Sequence, residues 1–270
     1  MTAFFERLGA RIADADSVVS VGLDPDPERL PEFIDAELPR WAFNRRVIDA
    51  THEHAACYKP NAAFYEDADG WRALRETVAY AHGKGVPVLL DAKRGDIGNT
   101  ARQYAASVEA VAADAVTVNP YMGRDSLQPF LSKEALGVFA LCRTSNAGGG
   151  DLQDLALENH GRSLYEHVAH LAETRWNENG NLGLVVGATG PDELEALREI
   201  VDLPFLVPGV GAQGGDAEAA VEHGLADGVG LVNSSRGIIF AGEGARDESA
   251  YFRAVGDAAR DLKERLNEYR

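Results

Sequence analysis

The sequence predicts an α/β protein, a single TIM-type (β/α)8 barrel domain spanning residues 1–270. Short apolar runs alternate along the whole chain with longer amphipathic stretches, a pattern typical of βα units and a parallel sheet. Eight such units fit into 270 residues, close to the roughly 250 residues of one barrel. No proline- or serine-rich linker divides the chain, so we expect one domain.

The predicted strands are nearly continuous in valine, leucine, isoleucine and alanine. This composition is expected of strands that are buried on both faces. The eight runs are Val18–Leu23, Ala55–Lys59, Val86–Leu90, Ala115–Val118, Gly137–Cys142, Leu182–Val186, Phe205–Val207 and Gly228–Val232.

Helical periodicity fills the intervals between these runs. Apolar residues recur on one face at helical spacing, which predicts helices packed against a central sheet. The predicted helices are Ala73–Lys84, Thr100–Ala113, Asp192–Val201, Asp216–His223 and a last helix after Asp247 that completes the outer ring.

Composition excludes several classes of protein. The formal net charge is −17, from 43 acidic and 26 basic residues, and such a field repels a nucleic-acid backbone. No apolar run approaches the roughly 18 residues of a membrane span, and the N-terminus lacks the apolar core of a signal peptide. Two cysteines, Cys57 and Cys142, cannot form a disulfide framework. We therefore expect a cytoplasmic protein that binds neither nucleic acid nor membrane.

The charge also bears on the solvent in which the protein works. Only five of the 26 basic residues are lysine. An acidic, lysine-poor surface suggests a halophilic protein from a cytoplasm at molar salt, where screening suppresses self-repulsion. The alternative is an acidic protein from an ordinary cytoplasm.

Polar and charged residues follow almost every predicted strand. In a barrel of this kind the chemistry lies at the C-terminal ends of the strands, so these residues are expected to surround one site. In chain order they are Asp24, Lys59, Asp91 with Lys93, Asn119, Arg143–Ser145, Gly187–Thr189, Gly209–Gly215 and Ser234–Arg236.

The segment after the third strand carries the most concentrated charge. Asp91 and Lys93 are two apart, so on a strand both would face the barrel mouth. Lys59 would flank Asp91 from the neighbouring strand, and Asp96 would extend the alternation of charges. Buried ion networks are costly to desolvate, which favours a catalytic role. The alternative is a structural salt-bridge network, with Asp96 and Thr100 capping the following helix.

A glycine-rich segment, Pro208–Gly215, follows the seventh strand. Its glycines match G-x-G-x-x-G, but no ribose-binding acid ends the next strand, so a dinucleotide fold is not expected. In barrels the loops after strands 7 and 8 commonly bind phosphate, and Arg236 could add a charge-assisted pair. This predicts a phosphorylated small molecule as ligand. The alternative is a glycine-rich turn beside a surface arginine.

A third segment, Arg143–Asp151, contains three successive glycines. It suits a mobile lid, with Ser145 bonding a heterocycle, or a plain flexible connection.

His52-Glu53-His54 lacks the H-E-x-x-H spacing and is expected on a helical stretch as a solvated face. Lysines beside Asp91 would compete with Mg²⁺, so we expect no metal.

These residues resemble those of the orotidine 5′-phosphate decarboxylases, in particular their longer prokaryotic subgroup (type 2). The resemblance runs from Val21-Gly22-Leu23-Asp24 to Ser235-Arg236-Gly237, with Asp91-x-Lys93-x-x-Asp96-Ile97-x-x-Thr100 as its most specific motif. Tyr58-Lys59-Pro60-Asn61 and Pro208-Gly209-Val210-Gly211-Ala212-Gln213 support it, whereas Asn99 stands where many relatives have Gly or Pro. It implies a cofactor-free barrel homodimer that converts orotidine 5′-monophosphate to UMP and CO₂ in de novo pyrimidine synthesis.

The resemblance also implies a role for each matching residue. Lys93 would protonate C6, Asp91 would lie beside the substrate carboxylate, and Lys59 would hold Asp91 and a ribose hydroxyl. The remaining substrate-binding residues would be Asp24 at the ribose, Ser145 at the pyrimidine, Gln213 between base and phosphate, and Arg236 at the phosphate, together with Gly211 and Ser235. Asp96, Ile97 and Thr100 would reach the site of the partner subunit.

Two rival functions remain open from the sequence. One is a Mg²⁺-dependent sugar-phosphate decarboxylase or aldolase of the same barrel superfamily, which would carry an acidic metal ligand where this chain has Lys59. The other is a non-catalytic nucleotide-binding barrel, which would need base and phosphate contacts but neither Asp91 nor Lys93.

Overall fold

The computed structural model describes residues 3–187, 190–210 and 216–270, and it confirms the predicted (β/α)8 barrel. Eight parallel strands in these residues form one sheet. They are β1 (Val19–Leu23), β2 (Cys57–Pro60), β3 (Leu89–Arg94), β4 (Ala115–Val118), β5 (Gly137–Arg143), β6 (Leu182–Val186), β7 (Phe205–Pro208) and β8 (Leu231–Ser234).

The sheet curls until its first and last strands in space, β2 and β3, meet. Continuous parallel pairing runs in the order β2-β1-β8-β7-β6-β5-β4-β3. Two isolated parallel bridges, Tyr58 to Val88 and Asn61 to Asp91, join β2 to β3. The backbone N–H of Tyr58 also donates to the carbonyl of Pro87 at 3.0 Å. The barrel is therefore closed, with a seam of few hydrogen bonds between β2 and β3.

Helices surround the sheet, as the periodicity predicts. They are α1 (Phe4–Ala15), α2 (Pro39–Thr51), α3 (Gly70–Gly83), α4 (Gly98–Ala110), α5 (Arg124–Leu131), α6 (Leu164–Leu171), α7 (Pro191–Ile200), α8 (Ala217–Glu222), α9 (Arg236–Ile239) and α10 (Glu248–Asn267). Short 3₁₀ turns occupy Ala62–Phe64, Pro120–Met122 and Ala147–Asp151, and a π-helical turn occupies Ala172–Trp176. Two short strands, Ala156–Leu157 and Arg162–Ser163, form a separate antiparallel hairpin. No helix in the described ranges is long and apolar enough to cross a membrane.

Helix α1 lies across the N-terminal end of the barrel. Its buried Phe4 ring occupies the space beside Gly137, the first residue of β5, where a Cβ would approach the ring to 2.3 Å. Arg11 of α1 donates to the carbonyls of His52 and Ala55, just before β2. This end of the barrel is filled, so the site faces the opposite end.

The observed strands differ from the predicted ones mainly at their ends. Strand β3 begins at Leu89 and continues through Arg94, and β8 begins at Leu231 and not at Gly228. Asp227 and Gly228 have positive φ, 48° and 79°, so this stretch is a turn before the strand. His52–His54 lie in a turn directly after α2 and not on a helix, a correction to the prediction.

Candidate active site

Three charged side chains meet at the C-terminal ends of β2 and β3. Lys59 Nζ donates to Asp91 Oδ2 at 3.0 Å, and Lys93 Nζ donates to Asp91 Oδ1 at 2.6 Å. Lys59 and Asp91 are buried, with 4% and 8% of their surface exposed, whereas the Lys93 side chain is 48% exposed. The structure thus brings together three of the four predicted catalytic residues, with one carboxylate between two ammonium groups.

The contacts within this trio keep Asp91 and Lys59 charged. Burial alone would raise the pKa of Asp91, but Lys59, Lys93 and a hydrogen bond from Thr117 outweigh it and leave that pKa below its ordinary value. Burial would likewise lower the pKa of Lys59, but the carboxylates of Asp91 and Asp24 raise it overall. The site therefore holds an ionised carboxylate and a charged Lys59 at neutral pH.

The backbone at Lys93 is unusual. Its φ is 47°, in the left-handed region that residues with a side chain rarely adopt, and the pairing of β3 with β4 shifts register between Leu90 and Arg94. Simple strand alternation, on which the sequence argument relied, therefore does not place Lys93 beside Asp91. An irregular turn of the strand does so.

Thr117 of β4, which the sequence analysis did not single out, holds this turn. Its hydroxyl oxygen accepts from the Lys93 backbone N–H at 2.9 Å, and the hydroxyl donates to Asp91 Oδ1 at 2.8 Å. The side chain is buried. The available signal was a polar residue inside the otherwise apolar run Ala115–Val118.

Asp24 lies at the end of β1, close enough to Lys59 to affect its pKa. Its Oδ1 is buried and accepts no hydrogen bond from the described residues, so it is an acceptor in need of a donor. The strand end beneath it is fixed, because the buried Tyr65 hydroxyl donates to the carbonyl of Leu23 at 2.8 Å. Asp24 thus presents a rigid acceptor beside the charged trio.

Asp96, Ile97 and Thr100 do not join the trio within the described part of this chain. Asp96 Oδ1 accepts the backbone N–H of Ile97 at 2.7 Å, Ile97 is 51% exposed, and Thr100 is exposed. Ile97 precedes α4 as its N-cap residue, and no side chain caps this helix. The alternative that Asp96 and Thr100 cap α4 is therefore wrong.

Ser235 and Arg236 follow β8. A Cβ on Gly22 of β1 would lie 1.8 Å from Ser235 Oγ, so a glycine at position 22 lets the Ser235 side chain lie across the end of β1. Asn233 Nδ2 donates to Ser235 Oγ at 3.4 Å. Arg236 is exposed at the start of α9. The predicted Gly211 and Gln213 lie outside the described residues.

Ser145 follows β5 and packs against Gly187, which follows β6. Both residues line a cavity of about 210 Å³ that reaches Glu193 of α7. The three glycines after Ser145 lie in the 3₁₀ turn Ala147–Asp151, where Gly149 is buried. Among the described residues, no group of three or more His, Cys, Asp or Glu side chains is arranged to hold a metal ion.

The sequence model of the orotidine 5′-phosphate decarboxylase / HUMPS family matches residues 17–251. The chain belongs to this family. As a member, it is 75% identical over 270 residues to the orotidine 5′-phosphate decarboxylase of Natronomonas pharaonis, covering 99% of this chain and 100% of that one. It is 74% identical to the enzyme of that name from Haloarcula marismortui, covering 99% of each chain.

Solved structures of orotidine 5′-phosphate decarboxylases have the same fold as this chain. The chain is 43% identical to OMP decarboxylase of Leishmania donovani, with a TM-score of 0.84 over 99% of this chain and 98% of that one. It is 45% identical to UMP synthase of the same organism, with a TM-score of 0.86 over 100% of this chain and 57% of that longer chain.

These relatives confirm the predicted family resemblance and the predicted class of carboxy-lyase. These two relatives come from haloarchaea, which agrees with the halophilic interpretation of the acidic, lysine-poor composition. The roles of this chain's individual residues stay predictions. Its salt requirement does so as well.

Proposed function

We propose that the whole chain, residues 1–270, is one catalytic domain that decarboxylates orotidine 5′-monophosphate to UMP and CO₂ without a cofactor, in cytoplasmic pyrimidine biosynthesis. The observation that carries the proposal is the buried Lys59–Asp91 pair with the half-exposed Lys93 bound to it, in a chain 75% identical to a curated decarboxylase. Both cysteines are free and buried, which suits a reducing compartment.

Lys93 supplies the acid in this proposal. Loss of CO₂ from C6 leaves a carbanion in the plane of the ring, which the π-system cannot delocalise. A fixed ammonium stabilises such a charge most where water is excluded, and it then transfers a proton to C6. The left-handed backbone and the salt bridge to Asp91 fix Lys93 before substrate arrives, so little reorganisation is needed during the reaction.

Asp91 orients Lys93 and lies beside the substrate carboxylate. The repulsion between the two carboxylates disappears as neutral CO₂ forms. Lys59 holds Asp91 from the buried side at 3.0 Å and binds a ribose hydroxyl. The two lysines thus have different tasks, and Lys93, which is more exposed, is the one that faces substrate.

The substrate is bound along the mouth of the barrel. The buried Oδ1 of Asp24, which has no hydrogen-bond donor among the described residues, accepts a hydrogen bond from a ribose hydroxyl. Ser145 contacts the pyrimidine, and Gln213 connects base and phosphate. Ser235, Arg236 and Gly211 bind the phosphate, whose binding energy, remote from C6, holds the reacting groups together.

The active enzyme in this proposal is a homodimer with shared sites. Asp96, Ile97 and Thr100 are directed at the partner's site, because they contact no member of the trio in their own described chain. Exposed apolar side chains support an interface: Ile97 itself is 51% exposed, and Tyr121 and Met122, in the turn after β4, are 79% and 48% exposed.

The reaction is tested by following the ultraviolet absorbance of orotidine 5′-monophosphate with purified protein in molar KCl containing EDTA. Conversion to UMP establishes the activity and excludes a requirement for divalent metal. Folded protein, verified by circular dichroism in the same buffer, that leaves the substrate unchanged contradicts the proposal.

The shared site is tested by mixing two inactive variants, Lys93→Ala and Asp96→Ala, under conditions of subunit exchange. A heterodimer then has one site with both changes and one unaltered site. Random mixing should therefore restore about a quarter of the unaltered activity. No restoration, despite heterodimers detected with a tagged subunit, would show that each site is contained in one chain.

Neither rival function gains support. In a Mg²⁺-dependent sugar-phosphate enzyme, the buried Lys59 ammonium would occupy the place of a metal ligand and repel the ion. In a nucleotide sensor, the Asp91–Lys93 pair at 2.6 Å would have no task.

A further inference from the structure

The residue before Ser145 is held at every polar atom. The Thr144 backbone N–H donates to Gln153 Oε1 at 2.9 Å, and its carbonyl accepts from Arg143 Nη1 at 3.0 Å. The Thr144 hydroxyl accepts from Gln153 Nε2 at 2.8 Å and donates to Asn146 Oδ1 at 2.7 Å. A solvated loop does not require this degree of fixation.

Arg143, the last residue of β5, is the centre of these contacts. Its side chain is only 17% exposed and lies between Asp154 Oδ1, 3.2 Å from Nε, and Glu193 Oε1, 3.7 Å from Nη2. Arg143 Nη1 also donates to Gln153 Oε1 at 3.2 Å. The guanidinium therefore joins β5 to the following turn and to α7.

The glycine run allows the turn to close over Arg143. A Cβ on Gly149 would lie 2.8 Å from Arg143 Nη1 and 3.1 Å from Gln153 Oε1, so a side chain there would displace both groups. Gly149 thus leaves the space in which these two groups lie, although its sequence context suggested mobility.

We propose that Arg143, Gln153 and Asp154, here called the β5 clamp, are positioning residues that fix Thr144 and so aim Ser145 at the base of the bound nucleotide. This inference rests on the proposed function. Ser145 is covalently next to Thr144 and packs on Gly187, so its backbone is set from both sides. The clamp contributes to base binding without touching the base.

The test compares ligands with and without a base. In Gln153→Ala, the KM for orotidine 5′-monophosphate and the inhibition constant of UMP should rise about tenfold, since hydrogen bonds that order the loop are lost, with kcat nearly unchanged. Inhibition by ribose 5-phosphate should stay constant. Gln153→Glu keeps the acceptor for Thr144 N–H and should recover much of the loss. Leu152→Ala, a neighbour that is 50% exposed, is the matched control and should behave as the unaltered chain.

A double-mutant cycle shows whether the clamp acts through Ser145. Adding Gln153→Ala to Ser145→Ala should have little further effect on UMP inhibition, because the contact that the clamp aims is already gone. Additive losses, an unchanged KM in Gln153→Ala, or an equal weakening of ribose 5-phosphate would each overturn the clamp. Absence of turnover by the unaltered chain would instead overturn the proposed function, and the clamp's role with it.

Discussion

At the scale of single residues, Lys93 combines a strained backbone with a charged side chain. A non-glycine residue in the left-handed region costs on the order of 1 kcal/mol and persists where its surroundings impose it. Here the Thr117 hydroxyl accepts a hydrogen bond from the Lys93 backbone N–H, and the Asp91 carboxylate accepts one from the Lys93 ammonium. The strain aims a long, half-exposed side chain at the site.

Lys93→Ala should abolish decarboxylation and retain the binding of UMP, because product binding needs neither the proton nor the ammonium field. Turnover is measured by absorbance and UMP binding by titration calorimetry. An equal loss of both would mean that Lys93 serves structure and not chemistry.

Thr117→Val removes both hydrogen bonds while keeping the shape of the side chain. The N–H of Lys93 and one oxygen of Asp91 lose a partner, so kcat should fall about tenfold or more as Lys93 leaves its place. UMP binding should change less than kcat. The same substitution at Thr174, exposed in the turn Ala172–Trp176, controls for the loss of a hydroxyl that donates one hydrogen bond, to the carbonyl of His170. An unaltered kcat in Thr117→Val would show that the turn holds Lys93 without help.

At the scale of elements, apolar runs predicted all eight strands, because burial on both faces leaves a strong signal in sequence. The signal fades where a strand leaves the core. For this reason the Leu90–Arg94 irregularity and the late start of β8 were not foreseen. Helix α5 was missed as well, since it has eight residues with Pro129 inside.

The same limit applies to the site. Lys59, Asp91, Lys93 and Asp24 could be located because each lies at the end of an apolar run or within three residues after it. Thr117 could not be assigned a partner, since its contacts come from a neighbouring strand in a shifted register. Gln153 could not be predicted either. It contacts Thr144 across an irregular turn, where side chains do not recur at the regular spacing of a helix or a strand.

Asp114 joins elements at the other end of the barrel. It accepts from Arg7 of α1 at 2.9 Å and from the Val88 N–H at 2.8 Å, and it pairs with His82 of α3 at 2.7 Å. Burial would raise its pKa, but these donors lower it below the ordinary value. One carboxylate therefore connects two helices to the start of β3 and β4.

Asp114→Ala should lower the free energy of unfolding by about 2–3 kcal/mol, because a buried N–H and a cation lose their acceptor. Since the folded pKa is lowered, the carboxylate stabilises above its ordinary pKa, and that contribution is lost as the pH falls through the folded value. The difference in the free energy of unfolding between the variant and the unaltered chain should thus become smaller below about pH 4. Urea unfolding at several pH values measures it.

Asp35→Ala is the control for this measurement, because Asp35 is exposed and has no hydrogen bond or ion pair in the described residues. It should leave the urea midpoint unchanged at each pH. A loss in Asp35→Ala as large as that in Asp114→Ala would assign the effect to net charge and not to the contacts.

At the scale of the whole molecule, the formal charge of −17 sets the dependence on salt. Surface ion pairs such as Arg72–Glu37, at 2.9 Å and exposed on both sides, contribute little and weaken further in salt. Self-repulsion spans the entire surface, and its screening length is about 3 Å at 1 M salt. We therefore expect self-repulsion, and not the surface ion pairs, to determine how stability changes with salt.

The thermal midpoint and the activity should both fall when KCl is diluted from about 2 M to 0.1 M, where screening is weaker. Circular dichroism melts across the series measure this, and sucrose at constant KCl controls for excluded-cosolvent effects. A midpoint that stays constant would remove the halophilic interpretation and leave an acidic protein suited to an ordinary cytoplasm.

The site lies on the seam between β2 and β3, which two isolated backbone bridges join among the described residues. Near the mouth, the backbone bridge from Asn61 to Asp91 and the Lys59–Asp91 ion pair are what connect the two strands. A nucleotide whose ribose binds Lys59 of β2 and whose C6 lies against Lys93 of β3 would contact both strands and so connect them. UMP should therefore slow amide deuterium exchange in Cys57–Pro60 and Leu89–Arg94 more than in β5, so that part of the binding energy appears as stiffness of the barrel wall.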